Sequence, residues 1–387
     1  MFGISKPHEI NWITTSFLIG TSTIALIGTP LYLYFFGFSW FLFAYFLFMF
    51  SACCMSITLG YHRLFAHGAF KASWPVKIAT LLFGAAAFEN SVLLWASEHR
   101  RHHKHTDHDD DPYDISKGFF YAHIGWLFLR YIPSRELDNV GDLRKDRLVM
   151  FQHNYVQQIA AFMSFVVPMA VGYAWHGWQG LLGCLIIVGF LRVVCVHHVT
   201  FFINSLCHTV GNQPYSARCS ARDSWIMAIF TFGEGYHNYH HEFQHDYRNG
   251  VQRWQWDPTK WTIWLLNKVG LAKDLRRVPR EKILLAQIAE KERQLRARLE
   301  KRSHTLSETA HELLEAARLQ LHQTAEVWEA RRQEYVKATE KQIEHSRERL
   351  HDLRREMQVA AYNLRVSMKA WHSAYRQAKG DFVAMAA

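Results

Sequence analysis

Long apolar runs alternate with polar, histidine-rich stretches through the first two thirds of the chain, and the last third reverses that pattern. Four runs reach the roughly 20 mostly apolar residues a helix needs to cross a bilayer: about 12–35, 38–59, 155–175 and 178–202. Only Phe36-Gly37 and His176-Gly177 separate the members of each pair, so the pattern predicts two membrane hairpins. A fifth run, Trp74–Phe88, is too short to span comfortably, ends in Glu89-Asn90, and reads as a buried or interfacial helix. Past Asp257-Pro258 a short aromatic helix leads to Pro279. Between Glu281 and Lys379 there is neither Gly nor Pro, and Ala, Leu, Glu, Lys, Arg and Gln dominate, which predicts long helix. Met357, Ala361, Leu364, Met368, Trp371 and Tyr375 keep a heptad spacing there. The tail therefore reads as a helical hairpin or partial coiled coil that self-associates or docks on a membrane surface.

Composition changes this picture in one respect. The mean hydropathy of −0.14 averages a membrane domain, 1–278, with a charged extension, 279–387, and so hides both. The net charge of +10 does not point to nucleic acid, because the Lys and Arg sit beside apolar runs rather than in a folded basic domain. Neither hairpin tip carries Lys or Arg, whereas Arg63, Lys71, Lys77, Arg100, Arg101, Lys104, Arg144, Lys145 and Arg147 all lie between the hairpins. Positive residues mark the cytoplasmic side, which places that loop and both termini in the cytoplasm. The first apolar run is too long for a signal-peptide core and reads as a retained span. The six cysteines are scattered and read as reduced thiols. Arg192, inside the fourth run, receives no role from the sequence.

The candidate chemistry lies in histidine boxes at the cytoplasmic ends of the spans. His99, His102 and His103 form an H-x-x-H-H pattern, and positions i, i+3 and i+4 share one helix face. His102 and His103 diverge by about 100°, enough for neighbours in sequence to reach two different metal ions. His237, His240 and His241 repeat the spacing. His62 and His67 are about 140° apart on a regular helix, so that box is predicted where the second span ends and the chain turns. His208 follows Asn204 by one turn, an arrangement that lets the amide hold a metal-bound water. Nine imidazoles divide naturally over two metals, and imidazole suits Zn, Cu, Fe and Ni alike. Glu98, Asp107, Asp110, Asp111, Glu234 and Glu242 are candidates to orient the rings, and His105, His108, His123 and His245 read as non-ligands. A metal transporter would set its ligands near the bilayer midplane on broken helices, and these boxes do not.

These residues carry a resemblance. From about Gly60 to Val278 the sequence resembles the membrane acyl-CoA desaturases of the stearoyl-CoA delta-9 type, on GYHRLFAH, WASEHRRHHKHTDHDDDP, KGFFYAHIGWL, NSLCHTVGNQPY and GEGYHNYHHEFQHDY. The resemblance implies an all-α integral membrane protein with four transmembrane helices in two hairpins and a cytoplasmic helical cap. The cap would hold a histidine-rich dinuclear site and a bent acyl tunnel. It further implies two ferrous ions held by His62, His67, His99, His102, His103, His208, His237, His240 and His241, with Asn204 acting through water. No catalytic group beyond the metal centre is implied. Trp95 and Thr200 match positions at the tunnel's bend, and Arg130 matches an arginine that meets the CoA head group. The implied reaction is the oxygen-dependent insertion of a cis double bond, at delta-9, into a long-chain acyl-CoA for unsaturated fatty acid biosynthesis. Its electrons would come from a separate donor of the ferredoxin/flavin reductase or cytochrome b5 type, since no haem-binding module is fused. The animal enzymes' WARDH reads Trp95-Ala96-Ser97-Glu98-His99 here, so one head-group arginine is missing. A phospholipid-linked acyl chain is accordingly an alternative substrate, and a di-iron membrane hydroxylase or alkane monooxygenase the nearest rival activity.

Overall fold

Helices make up nearly all the regular structure in the computed structural model, which describes residues 8–131, 136–302, 308–340 and 347–386. Three of them are long and apolar enough to cross a membrane and mark an integral membrane protein. Helix α1 (Trp12–Phe36) starts where the Asn11 side chain accepts from the Thr14 N–H, and stops at Gly37, whose φ of 75° breaks the helix. Helix α2 (Trp40–Ala66) is capped in the same way by Ser39. Next come α3 (Trp74–Ala86), α4 (Val92–His105) and the short α5 (Phe119–His123). Helix α6 is a helical run of 62 residues, Arg147–His208, interrupted at His176 (φ −151°, ψ 39°) and Gly177 (φ 54°, ψ −141°). The break folds its two arms back on each other. A Cβ on Gly172 would lie 2.3 Å from the Gly180 carbonyl oxygen, so only glycine permits this approach.

Three short helices follow, α7 (Trp225–Phe230), α8 (His237–Glu242) and α9 (Pro258–Lys268). Two ribbons tie distant segments together. Strand β1 (His8–Ile10) pairs antiparallel with β3 (Leu129–Tyr131), and β2 (Lys71–Ala72) with β4 (Ala272–Lys273).

Arg192 acquires a place here. It is fully buried in the second arm of α6 and donates to the Ala86 carbonyl (2.6 Å), where the Ser164 hydroxyl also donates (2.9 Å). The arginine thus satisfies the end of α3, where orphan carbonyls and the negative end of the helix dipole favour a cation.

The chain divides into two compact units, Met1–Val278 and Pro279–Ala387. In the second, helices α10 (Arg280–Arg302), α11 (Glu308–Glu340) and α12 (Arg347–Ala386) share one core. Ala361, Leu364, Met368 and Trp371 of the heptad seam pack with Ile288 and Leu295 of α10 and with Leu314, Leu321 and Trp328 of α11. The apolar seam expected to seek another surface is filled from within its own unit, because α10 and α11 supply the missing side of the core.

Candidate metal centre

Four elements, α2, α4, α6 and α8, deliver the nine histidines to one place. The Ser91 hydroxyl caps α4 by accepting from the Leu94 N–H, and pairs with His153 Nδ1 of α6 at 2.7 Å. Gln152 accepts from the Val92 N–H and donates to the Tyr61 hydroxyl, so α2, α4 and α6 are stitched just below the boxes.

Box by box, the sequence expectation fails at one point. Helix α2 does not end before the His62–His67 box. It widens into a π-helix over Ser56–Ala66, and the His67 N–H donates to the His62 carbonyl at 3.0 Å. One π turn closes over five residues, so the two imidazoles fall on the same side, with ring centroids 4.8 Å apart. Helix continuity, not a turn, solves the five-residue spacing.

The nine rings form two groups whose nearest nitrogens lie within 4.8 Å of one another: His62, His67, His99, His103 and His240, and separately His102, His208, His237 and His241. Sequence neighbours 102/103 and 240/241 part company, so both H-x-x-H-H boxes feed both groups. Within the larger group the Nε2 atoms of His62 and His240, His67 and His99, and His240 and His103 are 2.8–2.9 Å apart. In the smaller, His102–His241, His241–His237 and His237–His208 separations are 3.1–3.3 Å. Two nitrogens bound at right angles to one first-row metal, each at about 2.1 Å, lie about 3 Å apart. The donor sets therefore have the edges of two coordination shells. Burial, reinforced by the neighbouring imidazoles, holds His67, His99, His103, His237, His240 and His241 well below the usual histidine range, which keeps them in the neutral form that binds metal.

Carboxylates orient several rings. His62 Nδ1 meets Glu234 at 2.9 Å, and Arg63 bridges Glu234 to Asp257. Burial would raise the Glu234 carboxyl, but His62 and Arg63 outweigh it and set it at about 2. His102 Nδ1 meets Asp111 at 2.8 Å. His208 Nδ1 pairs with the Ser220 hydroxyl at 2.7 Å, which donates to Asp107 at 2.5 Å. Glu242 instead pairs with Arg218, while Glu98 lines the adjoining cavity.

That cavity, about 1410 Å³ of empty space partly open to solvent, runs beside His62, His99, His102, His237 and Asn204. Phe17, Leu18, Ile57, Phe88 and Ala160 supply apolar wall, and Trp95 and Thr200 face it. Arg130 stands apart. It lies on β3 opposite Glu9 of β1, forms an ion pair with it, leaves 63 % of its side chain exposed, and is not among the cavity's lining residues.

Sequence reasoning missed Glu89. Its two carboxylate oxygens accept from the Thr200 hydroxyl (2.7 Å) and the Trp95 indole N–H (3.2 Å), joining the two residues at the wall. Burial pushes its carboxyl up to about 7. Phe88 (φ 58°) and Asn90 (φ 69°) on either side adopt left-handed backbone. Two such non-glycine residues in a row of three is strain of the kind that accompanies functional sites. A lone acid closing an apolar run was the only signal available.

A model of the family described as fatty acid desaturase matches residues 13–266. The chain belongs to the fatty acid desaturase family. The desaturase match is supported by curated relatives. A probable acyl-CoA desaturase of Schizosaccharomyces pombe is 40% identical over 293 residues, 74% of this chain and 59% of that protein. Acyl-CoA desaturase 1 of Saccharomyces cerevisiae is 39% identical over 295 residues, 74% of this chain and 56% of that protein. Stearoyl-CoA desaturase 2 of Mus musculus is 37% identical over 249 residues, 63% of this chain and 68% of that protein. The aligned part thus spans little more than half the length of the two yeast relatives.

Proposed function

We propose that the protein is a di-iron acyl-CoA desaturase, inserting a cis double bond, at delta-9, into a long saturated acyl chain. The observation that carries the reading is the division of nine imidazoles into groups of five and four beside a largely apolar cavity, which His62, His99, His102 and His237 line. His62, His67, His99, His103 and His240 would hold one iron. His102, His208, His237 and His241 would hold the other, with Asn204, which lines the cavity beside them, acting through water. When bound, the irons supply the oxidation, using dioxygen and electrons from an external donor.

The chain's own residues supply position. An unactivated methylene offers no polar handle, so selectivity rests on how far the cavity admits the chain and where it turns. Trp95, Thr200 and Glu89, tied together, fix the wall beside the histidines. Glu234, Asp111 and Ser220 fix ring orientation, which sets both tautomer and ligand strength. The apolar wall keeps water from the reacting carbons. We read the topology as four spans, α1, the apolar part of α2 and the two arms of α6, with the metal centre and both termini cytoplasmic.

Arg130 is engaged by Glu9 rather than turned to the cavity, which keeps a phospholipid-linked chain as the second reading of the carrier. Expression in a host lacking its own desaturase, with double-bond positions mapped in acyl-CoA and phospholipid fractions, tests both. New cis-delta-9 product appearing first in acyl-CoA supports the proposal. Appearance first in phospholipid selects the alternative, and hydroxylated product with no double bond overturns it.

A further inference from the structure

Helix α9 presents an exposed face that water would not favour. Trp261, Trp264, Leu265 and Lys268, at i, i+3, i+4 and i+7, share one side and are exposed, while Thr259, Lys260 and Ile263 are buried opposite. Trp254, 79 % exposed, and Trp256 precede this face on the same loop. Helix α7 repeats the arrangement: Trp225, Ile226, Ile229 and Phe230 are exposed, and Met227 and Ala228 are buried. Isolated exposed apolar residues need no explanation, but a contiguous aromatic surface marks a binding face.

The contacts of these helices fix their height. The Thr259 hydroxyl pairs with the Thr58 hydroxyl of α2 at 2.7 Å and with the Phe232 carbonyl at 3.0 Å. The Phe232 ring in turn lies 6.1 Å from that of Phe50. The rise from Trp40 to Thr58 is about 27 Å at 1.5 Å per residue, close to the roughly 30 Å thickness of the hydrocarbon layer. Thr58 therefore sits at the cytoplasmic edge of that layer and Phe50 inside it, so the surface hung on them lies at head-group depth. Exposed Trp12, Trp40 and Trp178 mark the ends of the spans in the same way. Lys268 Nζ, 5.5 Å from the Trp264 ring centroid, can reach lipid phosphate while the indole stays below it.

We infer that α7, α9 and the Trp254–Trp256 loop form an in-plane lipid-binding surface, immersed in the cytoplasmic head-group region beside the spans. Its occupant is the bilayer surface, not a protein, and the inference rests on the membrane topology proposed above. The surface seats the histidine boxes at a fixed height, because α9 is bonded to α2 one turn before His62.

Tryptophan quenching in lipid nanodiscs, which leave both faces open, tests this on the full chain. Trp264→Phe and, separately, Trp261→Phe are compared with the unaltered protein, and the difference in emission reports each indole. Quenching of the difference signal by lipids brominated near the top of the acyl chain, stronger than quenching by aqueous iodide, is the expected result. Iodide quenching equal to or above lipid quenching places the indole in water and overturns the inference. Quenching by neither shows a protein cover, a second copy or the C-terminal helices, and also overturns it. The unaltered chain separates the two levels of argument. If its total emission, which includes Trp12, Trp40 and Trp178, is untouched by brominated lipid, the membrane reading itself fails.

Discussion

Replacing Glu89 with glutamine should flatten the pH dependence of stability without loosening the cavity wall. The Trp95 indole can only donate, whereas the Thr200 hydroxyl donates or accepts. Glutamine can therefore accept from Trp95 through its carbonyl and donate to Thr200 through its amide, as a protonated carboxyl would. A leucine there leaves the indole N–H without a partner, at about 1–3 kcal/mol. The pH effect follows from the carboxyl's displacement from 4.5 to about 7. Below 4.5 it is neutral in folded and unfolded chains alike, and its contribution to stability is fully present. Between those values the unfolded chain ionises first, so the folded chain binds the extra proton and stability falls as pH rises. The loss is complete above about 7 and amounts to at most about 3 kcal/mol, less where cavity water screens the charge.

The assay is thermal unfolding of the detergent-purified wild type and Glu89→Gln from pH 5 to 8. The difference between the two isolates this group, because all others titrate in both. Glu89→Gln should be nearly matched to wild type at pH 5 and more stable at pH 8, by on the order of several degrees. Its double-bond positions should stay unchanged, while Glu89→Leu shifts them. Parallel pH profiles for wild type and Glu89→Gln would show that Glu89 is solvated and that burial is not what sets its charge.

Four other outcomes are expected. His102→Ala and His240→Ala, drawn from different nitrogen groups, should each lose metal and all desaturation while remaining in the membrane; product near the wild-type level would remove that residue from its shell. Ser220→Ala breaks the link from His208 to Asp107 and should weaken metal retention about 10- to 100-fold, read by chelator competition, and unchanged retention would make the link ornamental. Trp95→Ala should cost about 3–5 kcal/mol of packing and scatter double-bond positions while iron per protein holds, and loss of iron with unchanged positions would place Trp95 in support of the metals instead. Truncation after Pro279 should leave a folded, metal-loaded first unit, since the core of the second is its own, and a first unit that fails to load metal would contradict that independence.

Much of the site was legible because its spacing is helical. His99, His102 and His103 lie on an ordinary α-helix, where periodicity alone fixes direction. The acids Asp111 and Glu234 were legible as types but not as partners, since pairing across nine residues or across the chain depends on tertiary contacts. Ser220 carried no signal, because a serine in a loop is ordinary. The His62–His67 box was misread for a definite reason. Geometry for a regular helix excludes a five-residue ligand pair, and no propensity rule announces that a helix will widen. The heptad in the tail was legible as an apolar seam, but a seam does not say whether its complement comes from another chain or from the next helix.

The intramembrane arginine and the cavity carboxyl, read separately from the sequence, belong to one construction. Helix α3 must stop at Ala86 for the chain to present Glu89 and restart at the Ser91 cap. A helix end inside an apolar surrounding leaves carbonyls that water cannot reach, each costly if unpaired. Arg192 and Ser164 take the Ala86 carbonyl from the two arms of α6, which makes the stop tolerable there. The left-handed residues Phe88 and Asn90 then cost of order 1–3 kcal/mol each, a strain that persists only if the surroundings allow no alternative. Those surroundings are the same α6 arms, since Thr200, eight residues after Arg192, holds Glu89 itself. The second arm of α6 therefore fixes both where α3 ends and where Glu89 stands in the cavity wall, and displacing it at Arg192 should be felt at Glu89 and Trp95 before it is felt at the histidine groups.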